Sequence, residues 1–139
     1  MSAIQRDYIE RMIEQCAEAI AQIVLLVRSG EFDRGLIVVQ KTSDLVLGRD
    51  RAVFERLDAA SVVELLGKYE LDRVRMYAAL LGEEGLIREA RGQAERAHEC
   101  LSRALQLYAA ISASGARLMS ADQERMTMIQ ASLDTAGAA

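Results

Sequence analysis

Small and large apolar side chains recur at intervals of three and four residues through residues 94–111. The positions on this stripe are Ala94, Ala97, Leu101, Ala104, Tyr108 and Ile111. This period places all of them on one face of an α-helix, where they face a core. Because small residues occupy part of the stripe, a second helix can approach closely. The chain must therefore contain at least one tightly packed pair of helices.

Composition extends the helical prediction to the whole chain. None of the 139 residues is proline, which long helices tolerate and turn-rich sheet proteins rarely do. Ala, Leu, Arg, Glu and Gln dominate, and all are good helix formers. The hydrophobic fraction of 51% is ample for a core, and the length fits one domain over residues 1–139. We therefore predict an all-α protein that needs no disulfide or metal to fold.

Further stripes of the same period divide the chain into helices. We predict helices over residues 4–28, 31–47, 59–66, 71–91, 93–112 and 120–134, a helical connector over 48–58 and a frayed tail over 135–139. Asp50, Asp58 and the pair Ser120 and Gln123 are the predicted N-terminal caps. The apolar ladder predicted for the first helix comprises Ile9, Ile13, Cys16, Ile20, Ile23 and Val27.

Gly82 and Gly85 fall inside the predicted helix over residues 71–91. Each costs about 1 kcal/mol of helix stability relative to alanine. Either the helix breaks there, or the two glycines let neighbouring helices pack against its backbone. Because the apolar pattern continues on both sides, we favour one unbroken helix.

The helices predicted over residues 31–47 and 93–112 share a loose sequence repeat. When Gly30 is aligned with Gly92, two residues, an acid, an arginine and a small residue follow each glycine. Spaced apolar positions then continue in both segments. The alignment makes each helix the second member of an antiparallel hairpin.

Residues 81–113 resemble the tetratricopeptide repeat. Gly85 matches the glycine of the first repeat helix, and the second helix shows the small, large, small, large pattern at Ala97, Leu101, Ala104 and Leu105. The resemblance implies antiparallel hairpins in a compact tetratricopeptide-like bundle of about five to six helices, of the kind found in small bacterial families. Members of this family bind peptides or proteins, so the resemblance implies a partner of that class.

Charge and hydropathy argue against nucleic acid and membrane as partners. The net charge is -4, the pI is about 5.1 and aromatic residues make up 4% of the chain. Such a surface repels phosphate and offers few rings for base stacking. The longest apolar run, residues 23–27, is too short to cross a bilayer, and the charged N-terminus does not resemble a signal peptide. We expect a cytoplasmic protein.

Side chains capable of catalysis or metal binding are few. His98 is the only histidine, and the two cysteines, Cys16 and Cys100, lie on apolar stripes of different helices. A zinc site needs three or four converging ligands, and the chain contains no glycine-rich phosphate loop. We therefore predict no catalytic residue, no metal site and no cofactor. His98 is expected to be structural, and both cysteines are expected to be reduced and packed as small apolar groups.

A partner surface is the remaining candidate for a functional site. Tyr69, Arg73 and Tyr77 are spaced by four, so they share one helix face, and Arg and Tyr are enriched at binding hot spots. The alternative, which we favour, places Tyr77 in the core and Arg73 in an ion pair. The last helix carries an adaptable apolar surface that either caps the bundle or forms a homodimer. Met119, Met126 and Met128 provide this surface.

These patterns leave three functions open, in a definite order. The first is a non-enzymatic helical module that binds a protein or peptide, with self-association as one form of that binding. The second is a regulatory domain that binds a small molecule in a pocket between the hairpins. An enzyme comes third, because a single histidine and the missing phosphate loop leave little visible chemistry.

Overall fold

A computed structural model describes residues 2–67 and 70–138 of the chain. The α-helices are α1 Ala3–Arg28, α2 Phe32–Leu47, α3 Arg51–Arg56, α4 Ala59–Leu66, α5 Leu71–Ala90, α6 Ala94–Ala113 and α7 Ser120–Ala138, and a 3₁₀ turn, Gly48–Asp50, joins α2 to α3. None of the described residues forms a β-strand, so the all-α prediction is confirmed. Within these residues, six helices have eight or more residues, as the predicted bundle of five to six requires.

The predicted N-terminal caps have different outcomes. Asp58 caps α4, because its carboxylate accepts a hydrogen bond from the Ser61 backbone N–H at 2.8 Å. Asp50 makes no capping bond to α3. Ser120 is already the first residue of α7, and the Asp122 carboxylate accepts from the Met119 backbone N–H at 3.0 Å. The tail that we predicted to be frayed over residues 135–139 is instead helical as far as Ala138.

The central helix of the bundle is α5, which packs against α1, α2, α4, α6 and α7. Buried residues therefore occur on every side of it, as expected for a helix surrounded by others. A Cβ atom added at Gly85 would lie 2.5 Å from Leu101 Cδ2 on α6, and one at Gly82 would lie 2.9 Å from Ile129 Cδ1 on α7. The helix α5 is therefore unbroken, and the absence of a side chain at Gly85 and Gly82 lets α6 and α7 pack against its backbone.

The two aligned glycines end helices in the same way. Gly30 has φ 74° and Gly92 has φ 77°, a conformation that favours glycine. The residue after each glycine donates its backbone N–H to the carbonyl five residues earlier, at 2.8 Å for residue 31 and 2.9 Å for residue 93. Two hairpins, α1–α2 and α5–α6, thus share one turn geometry.

An ion pair connects the two hairpins. The guanidinium of Arg91 pairs with the carboxylate of Asp33, so the turn of the second hairpin is held against the start of α2.

The buried face of α1 differs from the predicted ladder. Cys16 and Ile23 are buried as predicted, but Met12 and Leu26 complete the buried set. Ile13 is 38% exposed. Ile9, Ile20 and Val27 are half-buried, so Ile13 is the ladder residue that departs from the prediction. Its exposure depends on how α1 packs on both α2 and α5, which the sequence of α1 does not specify.

Candidate binding surfaces

Arg73 is buried on α5, with 7% of its surface exposed. Its Nε donates to the Val46 carbonyl at 2.9 Å, and its Nη2 donates to the Leu47 carbonyl at 2.7 Å. These are the last carbonyls of α2, which have no partner inside that helix. Nη1 donates to the carboxylates of Asp50 at 2.8 Å and Glu70 at 3.1 Å. Arg73 on α5 therefore caps the C-terminal end of α2, and the two carboxylates balance the charge of its guanidinium.

Tyr77 lies one turn further along α5 and is 8% exposed. Its ring meets that of Phe54 edge to face, with centroids 5.3 Å apart, and the Arg73 guanidinium carbon lies 5.3 Å from the same Phe54 centroid. Burial raises the pKa of Tyr77 to about 12. Arg73 and Tyr77 thus meet at Phe54 inside the bundle, while Tyr69 lies outside the described residues.

A large concavity, here called the end depression, opens above Arg73. It has a volume of about 770 Å³. Its lining residues are Gln5, Tyr8, Ile9, Leu45, Gly48, Arg49, Asp50, Leu66, Glu70 and Arg73. Apolar side chains stand exposed at and beside its rim, with Tyr8 54% exposed, Leu45 39% and Ile4 81%.

The end depression exists because the two helices of the first hairpin differ in length. The 26 residues of α1 exceed the 16 of α2 by 10, which corresponds to about 15 Å of helix. Since the helices are joined at the turn, the first turns of α1 extend past the end of α2. Ile4 and Tyr8 lie in that overhang, and both are exposed.

A second concavity, here called the interhelix pocket, lies between α1, α5 and α7. It has a volume of about 280 Å³ and combines apolar walls with four charged side chains. The lining residues are Ile13, Cys16, Ala17, Ile20, Asp72, Arg75, Met76, Ala79, Ala121, Asp122 and Arg125. No sequence pattern marks these residues as a site, because they come together only when α7 packs on α5.

The two arginines of the interhelix pocket differ in how fully they are paired. Arg75 donates to Asp72 at 2.8 Å and to Asp122 at 3.0 Å from Nε, with Nη2 2.9 Å from the same carboxylate. Arg125 donates to one carboxylate among the described residues, from Nε to Glu83 at 3.4 Å, and its guanidinium also lies beside the Tyr108 hydroxyl. Arg125 therefore retains unused N–H donors.

The hydroxyl of Tyr108 lies near Arg125 and is completely buried. It donates to no acceptor in the described part of the chain. Burial raises the pKa of Tyr108 to about 12, while the positive charge of Arg125 and the contact of its guanidinium with the phenol oxygen act in the opposite direction. The hydroxyl thus stays protonated at neutral pH and remains a potential donor.

The two cysteines are free and buried, as predicted. Burial raises the pKa of Cys16 to about 11 and that of Cys100 to about 12. The Cys100 thiol also donates to the Glu84 carboxylate at 3.5 Å, which favours its protonated form. Both thiols are therefore protonated at neutral pH, the state in which cysteine is a poor nucleophile.

His98 lies exposed on α6, with Nε2 3.4 Å from the Ser102 hydroxyl. Across residues 2–67 and 70–138, no group of three or more His, Cys, Asp or Glu side chains is placed to hold a metal ion. None of the helices in this part of the chain is long and apolar enough to cross a membrane.

Comparisons with known proteins add no assignment. No family model, no curated protein and no solved structure matches this chain.

Proposed function

We propose that this protein is a non-enzymatic, cytoplasmic interaction module of tetratricopeptide-like architecture that binds a helical segment of another protein in the end depression. The supporting observation is the overhang of α1, which presents Tyr8 and Ile4 beside a cavity of about 770 Å³. Covering apolar surface stabilises a complex by about 25 cal/mol per Å². A partner helix laid against α1 would supply that cover.

The lining residues indicate the chemistry of the partner. The apolar side chains in the lining favour a partner helix whose own apolar residues lie on one face, as in other helix-in-groove complexes. These lining residues are Tyr8, Leu45 and Leu66. Arg49 is exposed and makes no ion pair among the described residues, whereas Arg73 beneath it is balanced by acids. We therefore expect an amphipathic helix with an acidic residue facing Arg49.

The tetratricopeptide-like part of the proposal is supported by the packing of α5 and α6. Gly85 allows Leu101 to approach the α5 backbone, and Ala97 and Ala104 are buried on α6. The resemblance places small residues at these positions because they let paired helices pack closely. The shared turn of the α1–α2 and α5–α6 hairpins adds a second argument from geometry.

The experiment compares two substitutions on the same helix. Tyr8→Glu places a charge in the end depression, and Leu25→Glu is its matched control, since Leu25 is 62% exposed and does not line the depression. A partner captured from host extract would be identified, and its binding segment synthesised and titrated. We expect Tyr8→Glu to weaken binding at least tenfold and Leu25→Glu to leave it unchanged.

The same variants address self-association. Sizing at several protein concentrations would show whether a second copy of this chain occupies the end depression, in which case Tyr8→Glu would abolish the dimer. A partner segment that binds wild-type protein and Tyr8→Glu equally would contradict the proposed site. Circular dichroism of each variant checks that the helices are intact.

A further inference from the structure

We propose that the interhelix pocket binds a small organic molecule with a carboxylate head and a short apolar tail. This site is separate from the end depression and does not depend on the partner-helix proposal. Two features carry the inference: hydrogen-bond donors at one end of the pocket that the protein does not use, and apolar walls that a bare anion would leave uncovered.

The first feature is Arg125. Its side chain is 17% exposed, and the one carboxylate that it approaches in the described part of the chain is Glu83, at 3.4 Å. The guanidinium carries five N–H donors in a planar fork that matches the two oxygens of a carboxylate. By contrast, the neighbouring Arg75 already donates to two carboxylates. Arg125 is thus the cation of this pocket that has donors to offer.

The second donor is the Tyr108 hydroxyl beneath Arg125. A buried hydroxyl that donates to no acceptor is rare in folded proteins, because its desolvation is not compensated. Tyr108 itself does not line the pocket, so an acceptor held by Arg125 reaches the hydroxyl only after a side-chain movement of Arg125. Asp122 accepts from Arg75 and from the Met119 backbone N–H and makes no hydrogen bond with Tyr108.

The walls indicate an apolar tail. Ile13 and Ile20 on α1 face Met76 on α5, and the small side chains of Ala17 and Ala79 leave the space between them open. The volume of about 280 Å³ lies just below the range of about 300–1,000 Å³ typical of ligand pockets. A linear or branched carboxylic acid with a tail of a few carbons fits these limits better than phosphate or sulfate.

The binding experiment uses hexanoate as the probe, followed by calorimetry and ligand-observed NMR. Hexanamide keeps the tail and removes the charge, and acetate keeps the charge and removes the tail. We expect saturable one-to-one binding of hexanoate, with hexanamide and acetate each at least tenfold weaker. Hexanamide binding as tightly as hexanoate, or no saturable binding of hexanoate, would overturn the proposal.

Three variants locate the binding site. Arg125→Gln should weaken hexanoate binding at least tenfold, and Arg117→Gln is its matched control because Arg117 is exposed and outside the pocket. Ala17→Leu partly fills the pocket from an exposed position, so it should weaken binding without disturbing the core. The proposal is overturned if Arg125→Gln, folded by circular dichroism, binds hexanoate as wild type does.

Ala17→Leu keeps the test decisive if Arg125→Gln does not fold. Undiminished hexanoate binding by folded Ala17→Leu would then contradict the assignment to this pocket. Tyr8→Glu is expected to bind hexanoate normally, so failure of the end-depression proposal and failure of this one give different results.

Discussion

Arginine acts in this protein mainly as a rigid connector between helices. Fifteen of the 17 basic residues are Arg, since Lys occurs only at positions 41 and 68. Arg73 donates to the last two carbonyls of α2, and Arg103 on α6 donates to the carbonyls of Phe54 at 2.7 Å and Leu57 at 2.6 Å. A planar guanidinium can satisfy two carbonyls at once, which a lysine ammonium cannot do with the same geometry. The spacing of Tyr69, Arg73 and Tyr77 left a shared surface open, but Arg73 is buried in ion pairs and Tyr77 is buried in the core, as the favoured alternative placed them.

Replacing Arg73 should destabilise the fold strongly. We expect Arg73→Ala to lower the free energy of unfolding by about 3 kcal/mol, because buried carbonyls and the partly buried carboxylates of Asp50 and Glu70 lose their donor. Arg73→Lys should recover part of that loss. Urea unfolding would measure both. Arg34→Ala is the control, since Arg34 is exposed and its pair with Glu31 should contribute about 0.5 kcal/mol or less. Equal effects at positions 73 and 34 would contradict this account.

At the scale of helices, close approach depends on two glycines that face different neighbours. Gly85 faces α6, and Gly82 faces α7. Helix propensity alone would make each glycine a defect, whereas packing makes each the contact point for a second helix. This explains why α5 remains one helix of 20 residues despite two interior glycines.

Gly85→Ala tests that explanation. An added Cβ 2.5 Å from Leu101 Cδ2 should destabilise the protein by about 2 kcal/mol, although alanine favours a helix by about 1 kcal/mol. The double variant Gly85→Ala/Leu101→Ala relieves the clash, so the two changes should be coupled by at least about 1 kcal/mol. Urea unfolding of the single and double variants measures the coupling. Strictly additive effects would show that Leu101 is not the group that requires glycine.

For the whole molecule, the buried ionisable groups predict a loss of stability at high pH. Burial raises the pKa of both thiols from the usual 9.0, to about 11 for Cys16 and about 12 for Cys100. It raises the pKa of Tyr77 and Tyr108 from 10.0 to about 12. The unfolded chain therefore loses these protons at lower pH than the folded protein does, so their contribution to stability is intact below about pH 9 and declines above it.

Urea unfolding between pH 7 and pH 11 measures this decline. Each pKa unit corresponds to about 1.36 kcal/mol, so we expect a loss on the order of 8 kcal/mol by about pH 11. The double variant Cys16→Ala/Cys100→Ala should lose roughly a third as much over that range, because the tyrosines alone remain and they begin to lose protons only near pH 10. A flat profile up to about pH 11 would show that the four groups are accessible to water.

Local features of the sequence were sufficient to predict the helices and their turns. The period of three and four, the Asp58 cap and the aligned glycines at positions 30 and 92 act within one or two helical turns. Their consequences therefore do not depend on distant residues. The all-α fold and most helix ends were predictable for this reason, and so was the burial of both cysteines.

Contacts between distant segments decided the rest. The face that α1 buries, the partners of Arg73 and the assembly of the interhelix pocket all depend on how α1, α2, α5 and α7 pack together. Helical period shows which residues share a face, but it does not show which neighbour that face meets or how far one helix extends beyond another. Because packing free energy is summed over many contacts from separate parts of the chain, only the tertiary structure determines where a concavity opens and which donors remain unused within it.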